Sequence, residues 1–332
     1  MLPTVSLIVP CYNEEKRIRT LLDALLAQTY PLEQMDVTIA DGLSQDNTRQ
    51  TIADFQREYP QLKIQVIDNN AKSIPAALNR AIEASSGEII VRLDAHSAPY
   101  PNYVEHSVSA LLAGAAENVG GVWEIRPGGE GWMPESIAVA AAHPLGVGDA
   151  LYRHAKNAAY VDTVPFGAFR RGLLDKVGQF DESLLTNEDY EFNTRIRQSG
   201  GKVWLNPEIR SVYFARSTFG DLARQYWRYG LWKWQMLRRY PSTLRWRQAL
   251  PPLFVLAVIG LLILSFLTPL FGWLLVFLLA FYFGFLLAAG AHRAAQLQKP
   301  FLLIGLPISI AVMHFSWGLG FLKSILFGVK RP

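Results

Sequence analysis

The chain has one cysteine, Cys11, in 332 residues. That excludes a disulfide framework and any cysteine-rich zinc or iron–sulfur site. Charge is scarce too: 18% of the residues are Asp, Glu, Lys or Arg, against about 25% in an average soluble domain. With 50% of the residues hydrophobic, intrinsic disorder is excluded and a wholly soluble protein is disfavoured. Two phosphate-binding signatures are missing. No GxGxxG follows the first strand-like run and no GxxxxGK[ST] occurs in the chain, which disfavours a dinucleotide-binding Rossmann site and a P-loop NTPase. Acid is missing after Asp221. The first 221 residues hold all 28 acidic and 20 of the 32 basic side chains, a net charge of −8, whereas the last 111 hold 12 basic and no acidic ones, a net charge of +12. A basic, apolar C-terminal third suits a segment lying against anionic lipid, and its apolar runs argue against a nucleic-acid partner.

Those runs are long. Residues 251–268 and 270–291 carry no charge, and Pro269 and Gly272 interrupt them. Each approaches or reaches the roughly 20 residues that cross a bilayer core, so the expectation is a helical hairpin, with Arg293 and Lys299 in the loop after it. A third run, 301–327, contains His314 and Lys323 and is a weaker span. Basic loops stay cytoplasmic. Lys233, Arg238, Arg239, Arg245 and Arg247 precede the first run, and Arg293 and Lys299 follow the second; a hairpin puts both groups on the cytoplasmic side. Lys330 and Arg331 fit poorly outside, a second reason to doubt a full third span. Trp232, Trp234 and Trp246, set among Arg and Lys, suit a membrane interface. Val5–Val9 is already strand-like with no charged stretch before it, so the N-terminal domain is expected to be cytoplasmic rather than secreted.

Residues 1–221 alternate strand and helix signals. Runs 5–10, 36–41, 63–68 and 88–94 are β-rich, and helical patterns lie over 15–28, near 47–58 and over 75–85. Such alternation predicts an α/β fold with a parallel sheet, whose ligands bind beyond the carboxyl ends of the strands. Polar residues stand at those ends: Asn13 and Glu14, then Asp41, then Asp68, Asn69 and Asn70, then Asp94. Residues 143–154 are Gly-rich and are expected to form a mobile loop.

Four motifs occur in order: Val9-Pro10-Cys11-Tyr12-Asn13-Glu14-Glu15, Asp41-Gly42-Leu43-Ser44-Gln45-Asp46, Asp94-Ala95-His96 and Thr186-Asn187-Glu188-Asp189. Together they resemble the family 2 glycosyltransferases of GT-A fold, which use nucleotide-sugar donors. The resemblance covers about residues 4–230. With the apolar C-terminal runs it extends to membrane glycosyltransferases of bacterial exopolysaccharide synthesis. It implies a GT-A nucleotide-sugar-binding, Rossmann-like domain over 1–221, a basic Trp-rich interfacial segment over 222–250 and a transmembrane helical region over 251–332.

The resemblance also assigns roles. Pro10, Tyr12, Asn13, Glu14 and Asp41 would hold the nucleotide base, a carboxylate being able to accept the N3–H of uracil. Asn69, Asn70 and Lys72 match contacts near ribose and phosphate. Asp94 would serve donor and metal, with His96 where the family has a second carboxylate; imidazole suits Mn²⁺ better than Mg²⁺, so Mn²⁺ (or Mg²⁺) is the expected cofactor. Asp189 would be the general base, with Glu188 as the alternate. The run Gln225-Tyr226-Trp227-Arg228-Tyr229 resembles a QxxRW element, which implies Gln225 and Arg228 on the diphosphate and Trp227 and Tyr229 on the acceptor. The implied activity is inverting transfer of a hexose, from a UDP-sugar, to a polyprenyl-diphosphate-linked saccharide at the cytoplasmic face of the inner membrane, with membrane lipid and other glycan-assembly proteins as partners. A processive polysaccharide synthase, a polyprenyl-phosphate glycosyltransferase and a non-catalytic nucleotide-sugar-binding subunit remain as alternatives.

Overall fold

The structure, a computed structural model, describes residues 2–148, 150–243 and 245–329, apart from the side chains of Trp246 and Arg247. The anchoring expected of Trp246 and Arg247 and the charges of Lys330 and Arg331 lie outside the described residues. The chain divides into two compact units, Met1–Glu124 with Leu151–Tyr213, and Ile125–Ala150 with Phe214–Pro332.

The first unit is built on a nine-stranded mixed sheet. Strands β1 (Val5–Cys11), β2 (Met35–Asp41), β3 (Lys63–Asp68) and β4 (Ile89–Arg92) are parallel, in the order β3-β2-β1-β4. Helices α1 (Ile18–Leu26), α2 (Thr48–Glu58) and α3 (Ile74–Ala84) connect them. These are the elements expected from the sequence. The first helix is shorter than its pattern because the Glu14 carbonyl is taken up by a turn, accepting from the N–H groups of Arg17 and Ile18. Next come β5 (Ser97–Pro99), α4 (Tyr103–Leu112) and β6 (Asn118–Arg126). Residues of the second unit intervene as α5 (Trp132–Ala142) and α6 (Pro144–Val147). The first unit resumes with β7 (Ala159–Tyr160), β8 (Ala168–Arg170), α7 (Leu173–Val177), α8 (Glu188–Gln198) and β9 (Val203–Phe214). β8 extends the parallel strands by pairing antiparallel with β4, and the sheet continues through β6, β9 and β5.

Side chains alternate across the sheet as strand geometry requires. Val5, Leu7, Val9 and Cys11 of β1 enter one core with α1, α2 and α4, while Ile8 enters the other with α3 and α8. The order β3-β2-β1-β4 reverses direction between β1 and β4. That point in an open α/β sheet leaves a crevice at the carboxyl ends of the strands.

The second unit is helical: α9 (Phe219–Arg239), α10 (Trp246–Leu264), α11 (Pro269–Leu297) and α12 (Leu302–Phe327), with α5 and α6. α12 is its hub, packing on α9, α10, α11 and α5. Small residues allow close approach: a Cβ at Gly320 would lie 2.3 Å from the Trp227 carbonyl oxygen, and one at Gly230 would lie 2.1 Å from that of Trp317.

One membrane expectation is corrected, the placing of Arg293. The first run, 251–268, lies in α10 up to Leu264, and Thr268 caps α11 by accepting from the Leu270 N–H. Arg293 is not in a loop but inside α11, which runs to Leu297. The third run forms one 26-residue helix, α12, less apolar than α11. Among the described residues, two helices, α11 and α12, are long and apolar enough to cross a membrane. The expected loop at 143–154 contains the turn of α6, capped by His143, whose Nδ1 accepts from the Leu145 N–H at 3.2 Å.

Candidate active site

Four loops at the carboxyl ends of β1 to β4 carry most of the sequence-predicted residues. The register fixes their level: Cys11 pairs with Asp41, Asp41 with Asp68, and Ile8 with Arg92. After β1, Pro10 is buried and Tyr12 is 47% exposed. The Tyr12 ring rests on Gly42, where a Cβ would come within 3.1 Å of it, and Lys72 Nζ lies 5.9 Å from its centroid. Tyr12 and Lys72 thus flank one exposed spot. Asn70 beside them is exposed. Asn69 is buried, with its Nδ2 on the Ser73 carbonyl at 3.0 Å and its Oδ1 buried without a hydrogen-bond partner.

Asn13 adopts the left-handed region, φ 52°, which Asn tolerates better than most residues. It stitches the β1 and β2 loops together: its N–H donates to Ser44 Oγ, and its Oδ1 accepts from the Gln45 N–H, each at 2.8 Å. Asp41 is fully buried. It accepts from the Ser44 N–H at 3.0 Å, from Ser44 Oγ at 2.5 Å and from Arg49 Nε at 2.6 Å. Arg49 also pairs with Asp68, so one guanidinium ties the ends of β2 and β3. Sequence reasoning gave no role to Ser44, although it lies in the Asp41–Asp46 motif, and passed over Arg49, whose only signal is a position two turns after Asp41.

Across the β1/β4 crevice, His96 Nδ1 lies 3.1 Å from Glu14 Oε1. Asp94 is held by Arg92 beneath it, Nη2 to Oδ1 at 3.1 Å. Arg92 Nη2 also reaches Glu188 Oε1 at 2.8 Å, and its Nη1 bonds Asp189. The two acids open α8, whose preceding residue Asn187 has φ 72°. Carboxylates are favoured at a helix N-terminus. The Asp189 carboxyl is pushed up to about 7. Burial is the main cause, Arg92 opposes it, and the charges of Glu188 and Asp94 add to it. Burial works against the charge on Arg92, but Asp189, Asp94 and Glu188 outweigh it and hold the guanidinium charged. Thus Asp94, Glu188 and Asp189, read separately from the sequence, meet on one side chain that the sequence reading passed over. Its signal was a lone Arg in the apolar run Ile89-Ile90-Val91-Arg92-Leu93, two residues before Asp94.

Asp94 and His96 offer an oxygen and an imidazole nitrogen on one turn, closed by Ser97 donating from N and Oγ to the Asp94 carbonyl. Among the described residues no three His, Cys, Asp or Glu side chains form a metal-holding group. A divalent ion carried by a diphosphate needs one or two protein ligands, the phosphates supplying others, and this donor pair fits that demand. The mixed oxygen–nitrogen set suits Mn²⁺.

The remaining predicted residues lie in the second unit, on α9. Gln225 Nε2 donates to the Tyr229 hydroxyl at 2.9 Å, one turn along, and Arg228 is exposed. Trp227 faces α12: its carbonyl meets Gly320, and Lys323 Nζ lies 5.6 Å from its ring centroid.

A mixed α/β sheet with a crevice at the carboxyl ends of its parallel strands has the GT-A-like architecture. The family description "Glycosyl transferase family 2" matches residues 6–178, and the chain belongs to that family. It is similar to the dolichyl N-acetyl-alpha-D-glucosaminyl phosphate 3-beta-D-2,3-diacetamido-2,3-dideoxy-beta-D-glucuronosyltransferase of Methanococcus voltae, 27% identical over 98% of both chains. It is also similar to succinoglycan biosynthesis protein ExoA of Rhizobium meliloti, 28% identical over 97% of this chain and 96% of that one. Among solved structures, the mannosyltransferase PcManGT from Pyrobaculum calidifontis, in complex with GDP-Man and Mn²⁺, shares the fold with a TM-score of 0.62 and 19% identity, over 98% of this chain and 88% of that one.

Proposed function

We propose that the chain is a membrane-anchored, inverting hexosyltransferase that takes a sugar from a nucleotide donor, UDP-hexose, to a saccharide carried on polyprenyl diphosphate. The observation that carries this reading is the Asp189 carboxylate, held on the same buried guanidinium as the donor-side Asp94, with burial pushing its pKa up. A general base works best with a pKa near the working pH. In the reaction the acceptor hydroxyl oxygen attacks the anomeric carbon and its proton passes to Asp189. The bond from that carbon to the diphosphate oxygen breaks, and the nucleoside diphosphate leaves with the electron pair. Attack from the side opposite the leaving group inverts the anomeric centre.

Tyr12, Asn13, Glu14 and Asp41, with Pro10, shape the base site; Asn70 and Lys72 serve ribose and phosphate. Asp94 and His96 would hold a divalent ion, Mn²⁺ by preference, which neutralises the departing diphosphate. Gln225 and Arg228 serve the diphosphate, and Trp227 and Tyr229 the acceptor. The names of the relatives support a lipid-linked acceptor, since one acts on a dolichyl-phosphate-linked sugar and another takes part in succinoglycan biosynthesis. The apolar helices α11 and α12 support a multi-pass anchor in the cytoplasmic membrane, with the sheet unit on the cytoplasmic side.

The test is UDP release from purified protein in detergent, across UDP- and GDP-sugars, with Mn²⁺, Mg²⁺ or EDTA, and with or without extracted polyprenyl-linked lipids. Release with one donor, dependent on Mn²⁺ and raised by the lipid, is expected. Folded protein that releases nucleotide from no donor would overturn the reading in favour of a binding subunit.

A further inference from the structure

Arg92 is 3% exposed, in a strand whose neighbours Ile89, Ile90, Val91 and Leu93 are fully buried and apolar. Its guanidinium faces three carboxylates from two distant segments: Asp94 at 3.1 Å, Glu188 at 2.8 Å, and Asp189. Formally this leaves two negative charges uncompensated. Its Nε is buried without an acceptor. Stability alone is a poor account of such a group. A buried ion pair often contributes less than a well-packed apolar side chain of similar volume, and an unmade buried hydrogen bond costs more. Nor does a lysine substitute: its single ammonium lacks the planar fork that reaches Asp189 through one nitrogen and Glu188 and Asp94 through the other.

We infer that Arg92 is the positioning residue of the transfer reaction. Its fork sets the Asp189 carboxylate at a fixed place relative to Asp94, so that the base and the donor-side carboxylate move as one body. This rests on the reading of Asp189 as the base. Arg92 is buried beneath the two carboxylates and acts through them. α8 enters the site with Asn187 in the left-handed region, and no side chain caps it. The Arg92 bonds to Glu188 and Asp189 therefore fix where its first turn meets β4.

The experiment compares wild type with Arg92→Lys, with the double variant Arg92→Gln/Glu188→Gln, and with Asp189→Asn, in detergent. The double variant removes one charge of each sign, so its net charge is that of wild type and its folding is perturbed least. For each, kcat, KM for the donor, Kd for UDP and Tm are measured. The inference expects kcat of Arg92→Lys and of the double variant to fall about 100-fold, as a base displaced by an ångström would give. It also expects KM and the UDP Kd to stay within about threefold and the acidic limb of the kcat–pH profile to move. Retained kcat in either Arg92 variant, with Asp189→Asn inactive, overturns the positioning role and leaves the base assignment standing. Full turnover by Asp189→Asn overturns the base reading itself. Loss of UDP binding and of a cooperative melt in both Arg92 variants also overturns the inference, since Arg92 would then be a residue of the fold.

Discussion

In the sheet unit the apolar side chains point inward. Val5, Leu7, Ile8 and Val9 of β1 are fully buried, and each face of the sheet has its own core. In the helical unit the pattern is turned around. Along α11 the aromatic rings of Trp273, Phe277 and Phe281, four residues apart, are 73%, 71% and 70% exposed, and the helix buries only Leu286 and Gly290. The first unit satisfies its hydrophobic residues by itself. The second leaves those of α11 uncovered, and its internal packing joins large side chains such as Leu306, Ile310 and Met313 with close approaches at Gly230, Gly318 and Gly320. The ionisable groups divide the same way. The buried ion pairs of Arg92 with Asp94, Glu188 and Asp189 belong to the sheet unit; the helical unit after Asp221 carries cations with no acid among them.

If the chemistry resides in the sheet unit, Asp189→Asn gives the largest effect. It keeps the shape, removes the base, and should lower turnover by about 10²–10⁴ while UDP binding, measured by calorimetry, stays near wild type. Lost UDP binding would show that Asp189 holds the donor instead. Next comes a test of the inward-facing core. Phe55 is fully buried on α2, against the ring of Tyr59 at 4.8 Å between centroids. Phe55→Ala should destabilise the sheet unit by about 3–5 kcal/mol, read as the shift in a denaturation curve followed by UDP binding. A shift of a few tenths would mean that this core repacks freely.

A smaller effect separates the two units by pH. Asp189 must be ionised to accept a proton, and its carboxyl is raised to about 7 by burial and by its acidic neighbours against the pull of Arg92. Turnover should therefore rise with pH, roughly tenfold per unit while Asp189 is mostly protonated, and level off above about 7. A rate that stays flat from about pH 5 to about pH 8 would remove Asp189 from the rate-limiting proton transfer.

The two units were legible to different degrees for the same reason. β1 to β3 announce themselves because strand residues alternate between two nearby cores, a local pattern, and polar residues stand where each strand ends. Asp189, in the first turn of α8, came only from the resemblance of its motif, whereas Asp41 and Asp94 follow from that rule. Arg92 does not, because a buried cation in an apolar strand has meaning only through Glu188 and Asp189, which lie about a hundred residues away in the chain. The α5–α6 segment, of which only a Gly-rich loop over 143–154 was expected, escaped for a related reason. Its Ala-rich run is complementary to α12, where Gly305 meets Ser136 and His314 Nε2 donates to the Leu145 carbonyl at 2.8 Å, and α12 follows far later. In the helical unit composition located the apolar runs but misplaced their ends, since helix length there is set by caps such as Thr268 and by hydrogen bonding that apolar character does not reveal.

The smallest effect is the one that tests the comparison most directly. Phe277→Ala removes as many carbons as Phe55→Ala, but Phe277 is 71% exposed. If the α11 face lies in lipid, its ring meets acyl chains whether or not the helices are assembled, and acyl chains are as apolar as a leucine side chain. Truncation then removes little that assembly had gained, and the stability of the helical unit in lipid nanodiscs should change by less than about 0.5 kcal/mol. Phe277→Arg at the same position should instead reduce the membrane-inserted fraction, since a cation at the helix centre costs about 2.5–3.5 kcal/mol. A loss on Phe277→Ala as large as that on Phe55→Ala would show the ring packed against protein in the assembled state. α11 would then have to face another protein, and its exposed aromatic stripe would be a subunit contact rather than a lipid contact.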